Sequence, residues 1–368
     1  MQNRKEFPHY PPLFIISITE KMRSLFLRLY RKFTHPNVAV FEMVHHFWLA
    51  AALGVAAELG IADLLKKGVK SIHELATLTH THEESLYRLM RMLASHDVFR
   101  EQNNRLFTLT PLAKSLQEDQ VKYLIISHLT KLHFQMFGEL IYSIRTGKNA
   151  SELITGSALF DHIGQDKQRN ELFIKAMTNA SMMQVAAIIP AYSFGRYRNI
   201  IDVGGGEGLM MAAIIQKFPD CKGIVFDLSQ SSDQALKIIE KQGIADRCWF
   251  IAGSFFETIP EGGDLYMLKS ILHDWDDESC LKILRNISTV MAATSRLLLV
   301  ESIIEKGNKP SFGKMTDILM MVAVGGKERT KAEYVSLLMK TGYEVRKIYR
   351  TVSPLCLIEA KKAKNHNQ

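Results

Sequence analysis

The sequence predicts an α/β protein in two parts. One is a doubly wound, mostly parallel sheet with a C-terminal antiparallel hairpin. The other, N-terminal to it, is a mostly helical winged-helix domain. Three observations predict this. From residue 197 onward, short apolar runs alternate with helical stretches: Asn199–Val203, Gly223–Phe226, Cys248–Ile251, Asp264–Leu268 and Arg296–Val300, the pattern of a parallel sheet covered on both faces. The last two runs, Tyr343–Tyr349 and Leu355–Ala360, lack a helical spacer, so they form a hairpin whose final strand is antiparallel. Upstream, two short helices and a hairpin follow one another between Ser71 and Leu109, which is the winged-helix order. With 368 residues, 47% of them hydrophobic, the chain has apolar material for both domains.

The chain opens with a basic arm, residues 1–35. Ile15, Ile18, Met22, Leu25, Leu29 and Phe33 recur at helical spacing, with Lys21, Arg28, Arg31 and Lys32 on the other side. A basic amphipathic helix fits weak contact with an anionic membrane surface. Packing on a partner subunit is favoured instead, because Leu27 interrupts the polar face and no acylation signal accompanies it. The formal net charge of +8 sits at the two ends: +5 in residues 1–35 and +3 in residues 361–368, leaving 36–360 neutral. Four dispersed cysteines form no metal-binding or disulfide pattern, which fits reduced thiols in the cytoplasm. No signal peptide is read at the N-terminus, and no apolar run reads as long enough to cross a bilayer.

Residues 36–118 form the winged-helix-like domain, with a second helix over Glu84–Leu93 and a wing turning at Asn103-Asn104. DNA binding through that helix needs basic side chains for the phosphates. This segment carries eight basic residues against nine acidic ones, so protein–protein packing is the expected use and no nucleic-acid partner is implied. Residues 119–190 read as a helical linker and pocket region, rich in Met, Phe and His. Residues 191–362 form the sheet domain, and 363–368 a tail.

The strand Asn199–Val203 runs into Gly204-Gly205-Gly206-Glu207-Gly208 and then the helical Leu209–Lys217. Such a strand-to-helix turn lets a ligand approach the backbone and the free N–H groups of a helix start. The spacing is G-x-G-x-G with Asp202 two residues ahead. It is neither the dinucleotide G-x-G-x-x-G nor a Walker loop, so the expected ligand is a nucleoside without a pyrophosphate. Asp227, at the tip of the next strand, can accept both ribose hydroxyls. Gly253-Ser254-Phe255-Phe256, after the third strand, offers aromatic side chains beside an adenine.

His273, in Leu272-His273-Asp274-Trp275, follows the fourth strand at the carboxyl edge of the sheet, where ligands of such folds bind. An imidazole there can take a proton from a hydroxyl and needs a carboxylate to fix its tautomer. Glu301, ending the fifth strand, and Glu328, in Gly325-Gly326-Lys327-Glu328-Arg329-Thr330, are both candidates. Asp276 or Asp277 is more simply the cap of a helix over Glu278–Met291.

Four motifs in this order carry a resemblance: Asp202-Val203-Gly204-Gly205-Gly206-Glu207-Gly208, Leu272-His273-Asp274-Trp275, Val300-Glu301 and Gly325-Gly326-Lys327-Glu328-Arg329-Thr330. From about Asn37 to Lys361 the chain resembles the S-adenosylmethionine-dependent O-methyltransferases. These include plant caffeate and flavonoid enzymes, acetylserotonin methyltransferase, and bacterial enzymes acting on polyketides and phenazines. The resemblance implies a class I methyltransferase Rossmann-like sheet, a dimerising winged-helix domain, a homodimer, S-adenosylmethionine as cofactor and no metal. It implies cofactor contacts from Asp202, Gly204, Gly206, Asp227, Leu228, Ser254, Phe255 and Lys269. His273 is then the general base, held by Glu301 and Glu328. The wall against a small aromatic hydroxyl substrate would come from Phe173, Met177, Asp274, Asp317, Met320 and Met321.

Three departures stand out. Ser254 replaces the usual Asp that reads the adenine amine, Ala323-Val324 replaces the Asn and Pro of the plant pattern, and the arm is longer than the family's. Two other readings remain open at this level. One is a family member drifted to hydroxylation or decarboxylation with the cofactor as a structural ligand, against which the intact His273, Glu301 and Glu328 argue. The other is a winged-helix regulator that senses a small molecule, against which the charge balance argues.

Overall fold

A computed structural model describes residues 10–363. Arg4, Lys5 and Lys364, part of the basic ends, lie outside the described residues. The chain divides into two units: Phe14–Gln135 with Phe160–Ala180, and Met136–Leu159 with the chain from Ser181 onward and the N-terminal residues to Leu13. Residues 119–190 are divided between the two units.

In the helical unit, the arm is one helix, Leu13–Phe33, with no buried residue. Tyr30 hydrogen-bonds to Glu42 of the following helix, Pro36–Glu58. That helix corrects one expectation. By length and composition, Pro36–Glu58 and the stretch Lys167–Ala191 are each long and apolar enough to cross a membrane. Helical periodicity is legible over Val38–Leu59; what His45, His46 and the scattered charges concealed is the length of the apolar run.

The winged helix forms as expected. Strand β1 (Lys70–Ser71) leads into the helix Ile72–Thr79, which Ser71 and Glu74 start with a capping box. The helix Glu83–Ser95 follows and buries Leu86, Met90 and Leu93 at three- and four-residue spacing. The wing is β2 (Phe99–Gln102) and β3 (Leu106–Leu109), turned through left-handed Asn104 and Arg105. Phe99 and Phe107 plug the core beside Ile61 and Leu75.

In the other unit, the strands are β4 (Asn199–Val203), β5 (Lys222–Asp227), β6 (Cys248–Ala252), β7 (Leu265–Lys269), β8 (Arg296–Ile304), β9 (Arg329–Thr330), β10 (Tyr343–Arg350) and β11 (Leu355–Lys362). The main sheet runs β10-β11-β8-β7-β4-β5-β6, and β9 adds to the end of β8. Strands β4 to β8 pair in parallel. β11 is antiparallel to both β10 and β8, as the missing spacer predicts. Alternate residues of β8 feed opposite faces: Leu298 and Val300 join one apolar layer, Leu297 and Leu299 the other. Burial on both faces explains why these strands read as unbroken apolar runs. The order reverses between β4 and β7, and the chain leaves both strands on the same edge. That crevice is where doubly wound sheets hold ligands.

Candidate active site

The glycine loop leaves β4 at this switch point. Gly206 takes a left-handed backbone (φ 56°) and a Cβ there would meet no heavy atom within 4 Å, so its face is open for a ligand to approach. Its N–H donates to Asp227 Oδ2 at 2.7 Å, and the Leu228 N–H donates to Asp227 Oδ1 at 2.7 Å. The Ser231 hydroxyl also bonds to Asp227, at 3.2 Å. Asp227 therefore stands fixed at the tip of β5. Burial raises its carboxyl pKa, against the lowering effect of those hydrogen bonds. The Leu228 side chain is exposed.

Asp202 is the anomaly of the loop. Its side chain is buried at 1% exposure, and neither carboxylate oxygen has a hydrogen-bond partner among the described residues. Burial pushes its carboxyl up to about 7; nearby Lys269 opposes this and Asp227 adds to it. A buried carboxylate without partners is costly and calls for a donor or cation from a ligand. Lys269, at the end of β7, donates to Gln184 Oε1 at 3.1 Å and reaches Ser181 Oγ at 3.4 Å. Those two partners were not foreseen; nothing in their sequence context marks them.

Ser254 turns inward on its own loop, accepting from the Phe256 N–H at 3.3 Å. Phe255 and Phe256 meet edge-to-face with centroids 4.9 Å apart, and Trp275 stands edge-on to Phe255 at 6.1 Å. The Asn286 amide fixes this loop by donating to Phe255 O at 2.9 Å. The result is an aromatic shelf after β6. A fixed carboxylate at one strand tip, an open glycine turn, an orphaned acid and an aromatic shelf together fit a cationic nucleoside cofactor.

His273 sits in the one-turn helix Leu272–Asp274, just past β7. Ser270 enters this turn with a left-handed backbone (φ 54°), and its N–H is held by Val300 O at 3.0 Å. A non-glycine residue in that region is uncommon and tends to mark a functional turn. His273 Nδ1 lies 3.1 Å from Glu328 Oε1. Its Nε2 lies 3.5 Å from Asp274 Oδ1. Burial alone would lower the imidazole pKa. The carboxylates of Asp274, Glu328 and Glu301 outweigh it and push it up to about 10.

Glu301 differs from the expectation in two ways. Strand β8 runs on to Ile304, so Glu301 lies within it rather than at its end. Its Oε1 accepts the backbone N–H groups of Ile271 (3.0 Å) and Leu272 (2.8 Å), not the imidazole. It thus holds the turn that carries His273, and burial pushes its own carboxyl up to about 7. Of the two glutamates, Glu328 is the one that hydrogen-bonds the ring. The Thr316 hydroxyl also bonds to Glu328 Oε1, at 3.0 Å, and the Glu328 N–H donates to Asp317 Oδ1 at 2.9 Å. Asp317, expected on the substrate wall, is engaged by that backbone. Met320 and Met321 are partly buried on the same helix, Phe312–Ala323.

Phe173 and Met177 lie on the first half of the helix Lys167–Ile188, in the helical unit. Phe173 packs edge-on against Phe160 at 6.0 Å, and Met177 is exposed. Asp276 caps the helix Asp277–Val290 by accepting from the Ser279 N–H at 2.8 Å, as expected.

The fold and this edge define a class: α/β proteins that hold a nucleoside cofactor at the switch point and carry a histidine–carboxylate pair beside it. Comparison with known proteins narrows the class. Residues 137–344 match the O-methyltransferase domain, and residues 41–119 match the O-methyltransferase dimerisation domain. The phenazine O-methyltransferase PhzM of Lysobacter antibioticus is 34% identical over 323 residues, covering 87% of this chain and 94% of that protein. The mitomycin biosynthesis 6-O-methyltransferase of Streptomyces lavendulae is 34% identical over 328 residues, covering 88% and 93%. The calicheamicin-biosynthesis methyltransferase CalO1, solved with S-adenosylhomocysteine bound, superposes with a TM-score of 0.80 at 28% identity, covering 89% of this chain and 98% of that one. This chain belongs to the S-adenosylmethionine-dependent O-methyltransferase family.

Proposed function

We propose that the chain methylates a hydroxyl of a small aromatic acceptor, with His273 as general base, and that it works as a homodimer. The observation that carries the base assignment is the pairing of half-buried His273 Nδ1 with buried Glu328 Oε1 at 3.1 Å. With Nδ1 committed to that carboxylate, Nε2 is the nitrogen left for an acceptor hydroxyl. Glu328 fixes the ring and stabilises the imidazolium formed when the proton arrives. Asp274, beside Nε2, is placed to orient that hydroxyl.

Bound in the crevice, S-adenosylmethionine supplies an electrophilic methyl group, whose bond to sulfur breaks as its bond to oxygen forms. Asp227 would hold the ribose, Gly204 and Gly206 the backbone approach, Phe255 the adenine, and Asp202 with Lys269 the polar end. Ser254 is turned onto its own loop and supplies no carboxylate there. The acceptor class rests on the two bacterial relatives, named for phenazine and mitomycin substrates, and on the neutral charge of residues 36–360. The dimer rests on the match to the dimerisation domain.

The test is turnover of a panel of phenols, hydroxyphenazines and hydroxyquinones with S-adenosylmethionine, followed by mass spectrometry. His273→Ala should lose about 10²- to 10⁴-fold in kcat while binding the cofactor as before. A variant turning over at the parental rate would sink the base assignment. Failure of every acceptor to yield a methyl ether would sink the acceptor class.

A further inference from the structure

Arg329 is the largest fully buried side chain of the described residues, and nothing above gives it a task. Two of its five hydrogen bonds go to the turn that carries His273, two to Asp277, and one to Lys327 O of its own loop at 3.3 Å. One nitrogen donates to Leu272 O at 2.7 Å and another to Trp275 O at 2.8 Å, so the fork grips the carbonyls on either side of His273-Asp274. Nε and the second nitrogen also meet Asp277 Oδ1, at 3.1 and 2.9 Å, at the start of the next helix. The neighbouring residue in the chain is Glu328, which bonds the imidazole. One side chain therefore locks the strip that presents the carboxylate against the turn that presents the ring.

We propose that Arg329 is a positioning residue for the base: it sets the His273–Glu328 separation through the Leu272 and Trp275 carbonyls, without touching any reactant. A planar fork with fixed donors can hold two diverging carbonyls and a carboxylate together, whereas an ammonium is a single point. Asp277 supplies the counter-charge that lets the guanidinium stay buried. The inference rests on His273 being the base, so its test runs beside His273→Ala.

Arg329→Lys keeps the charge and loses the fork. It should lower kcat by roughly 100-fold, the usual scale for misplacing a reacting group by about an ångström, with the cofactor dissociation constant within twofold of the parent. The pH profile carries the signature. Glu328 helps raise the imidazole pKa, so a looser pair should move the ascending limb to lower pH. Asp277→Asn leaves the fork on both carbonyls and should move that limb less. Guanidinium ion added to Arg329→Ala should restore part of the rate. A lower melting temperature in Arg329→Lys, with kcat and the limb unmoved, would show a purely structural role and overturn the proposal. If His273→Ala itself keeps full rate, the base assignment fails instead, whatever Arg329 does.

Discussion

His273 Nδ1 stands 3.1 Å from Glu328 Oε1, although the two residues are 55 apart in sequence. The contact joins the turn after β7 to the loop between the helix Phe312–Ala323 and β9, and with the Asp274 charge it helps to raise the imidazole pKa. Only the neutral ring can accept a proton. Its pKa is raised, to about 10 in the free protein, so the active form gains population as pH rises. The ascending limb of kcat/KM should therefore lie above pH 7, alkaline to an ordinary histidine. Glu328→Gln removes one of the charges that hold the proton. It should shift the limb to lower pH and reduce the plateau on the order of 10- to 100-fold, the scale for losing a partner that orients a functional imidazole. A limb at the parental position in that variant would mean Glu328 does not act on the ring.

Gly326 makes the same contact sterically possible. A Cβ there would stand 2.1 Å from His273 O and 2.6 Å from the Asp274 carbonyl carbon, both rigid backbone. Gly326→Ala must push the Glu328 loop off the His273 turn. The expected result is about 1–3 kcal/mol of lost stability and a loss of kcat larger than the loss of cofactor affinity. Thermal melting and calorimetric titration measure the two separately. A fully active Gly326→Ala would show that the loops can part without cost.

Asp202 gives a prediction in which stability and binding move in opposite directions. Its folded pKa, about 7, is above the ordinary value of 3.8. The folded state thus holds the proton more tightly than the unfolded one. The linked stability is full below the unfolded pKa and is lost as pH rises through about 7. Asp202→Asn cannot ionise, so its melting temperature should change less between pH 5 and pH 8, and at pH 8 it should equal or exceed the parent's. The same variant loses the orphaned carboxylate proposed to hold the polar end of the cofactor, so S-adenosylmethionine should bind at least about tenfold more weakly, the cost of one charge-assisted bond. Unchanged affinity would remove Asp202 from the cofactor site.

How far the sequence revealed this site depended on how local each signal was. The glycine loop, the strand-tip Asp227 and the edge position of His273 were legible because each is a short motif attached to a strand end. The two glutamates were both found, but their division of labour was not. Glu301 reaches the Ile271 and Leu272 amides just after a left-handed Ser270, and backbone partners of that kind no residue pattern announces. Arg329 was quoted only as part of a motif, because its partners are backbone carbonyls, which leave no mark in a sequence. The helix Pro36–Glu58 was legible as a helix, but its apolar length was underestimated because Glu42, His45 and His46 interrupt the run.

The arm supplies the last prediction. Leu13–Phe33 buries nothing, and Leu25, Phe26 and Phe33 are among its exposed apolar residues, with Phe41, Phe47 and Trp48 exposed on the next helix. Exposed apolar area on this scale marks an interaction surface, and it runs directly into residues 41–119, which match the dimerisation domain. A second copy of the chain is the occupant that this continuity favours. Deleting residues 1–35 should then raise the dimer dissociation constant, read by analytical ultracentrifugation across a dilution series. Anionic vesicles provide the contrast. The cationic side chains Lys21, Arg28, Arg31 and Lys32 would give salt-sensitive vesicle binding if the helix served a membrane. A deletion that abolished such binding while the dimer constant stayed put would reassign the arm from partner to lipid.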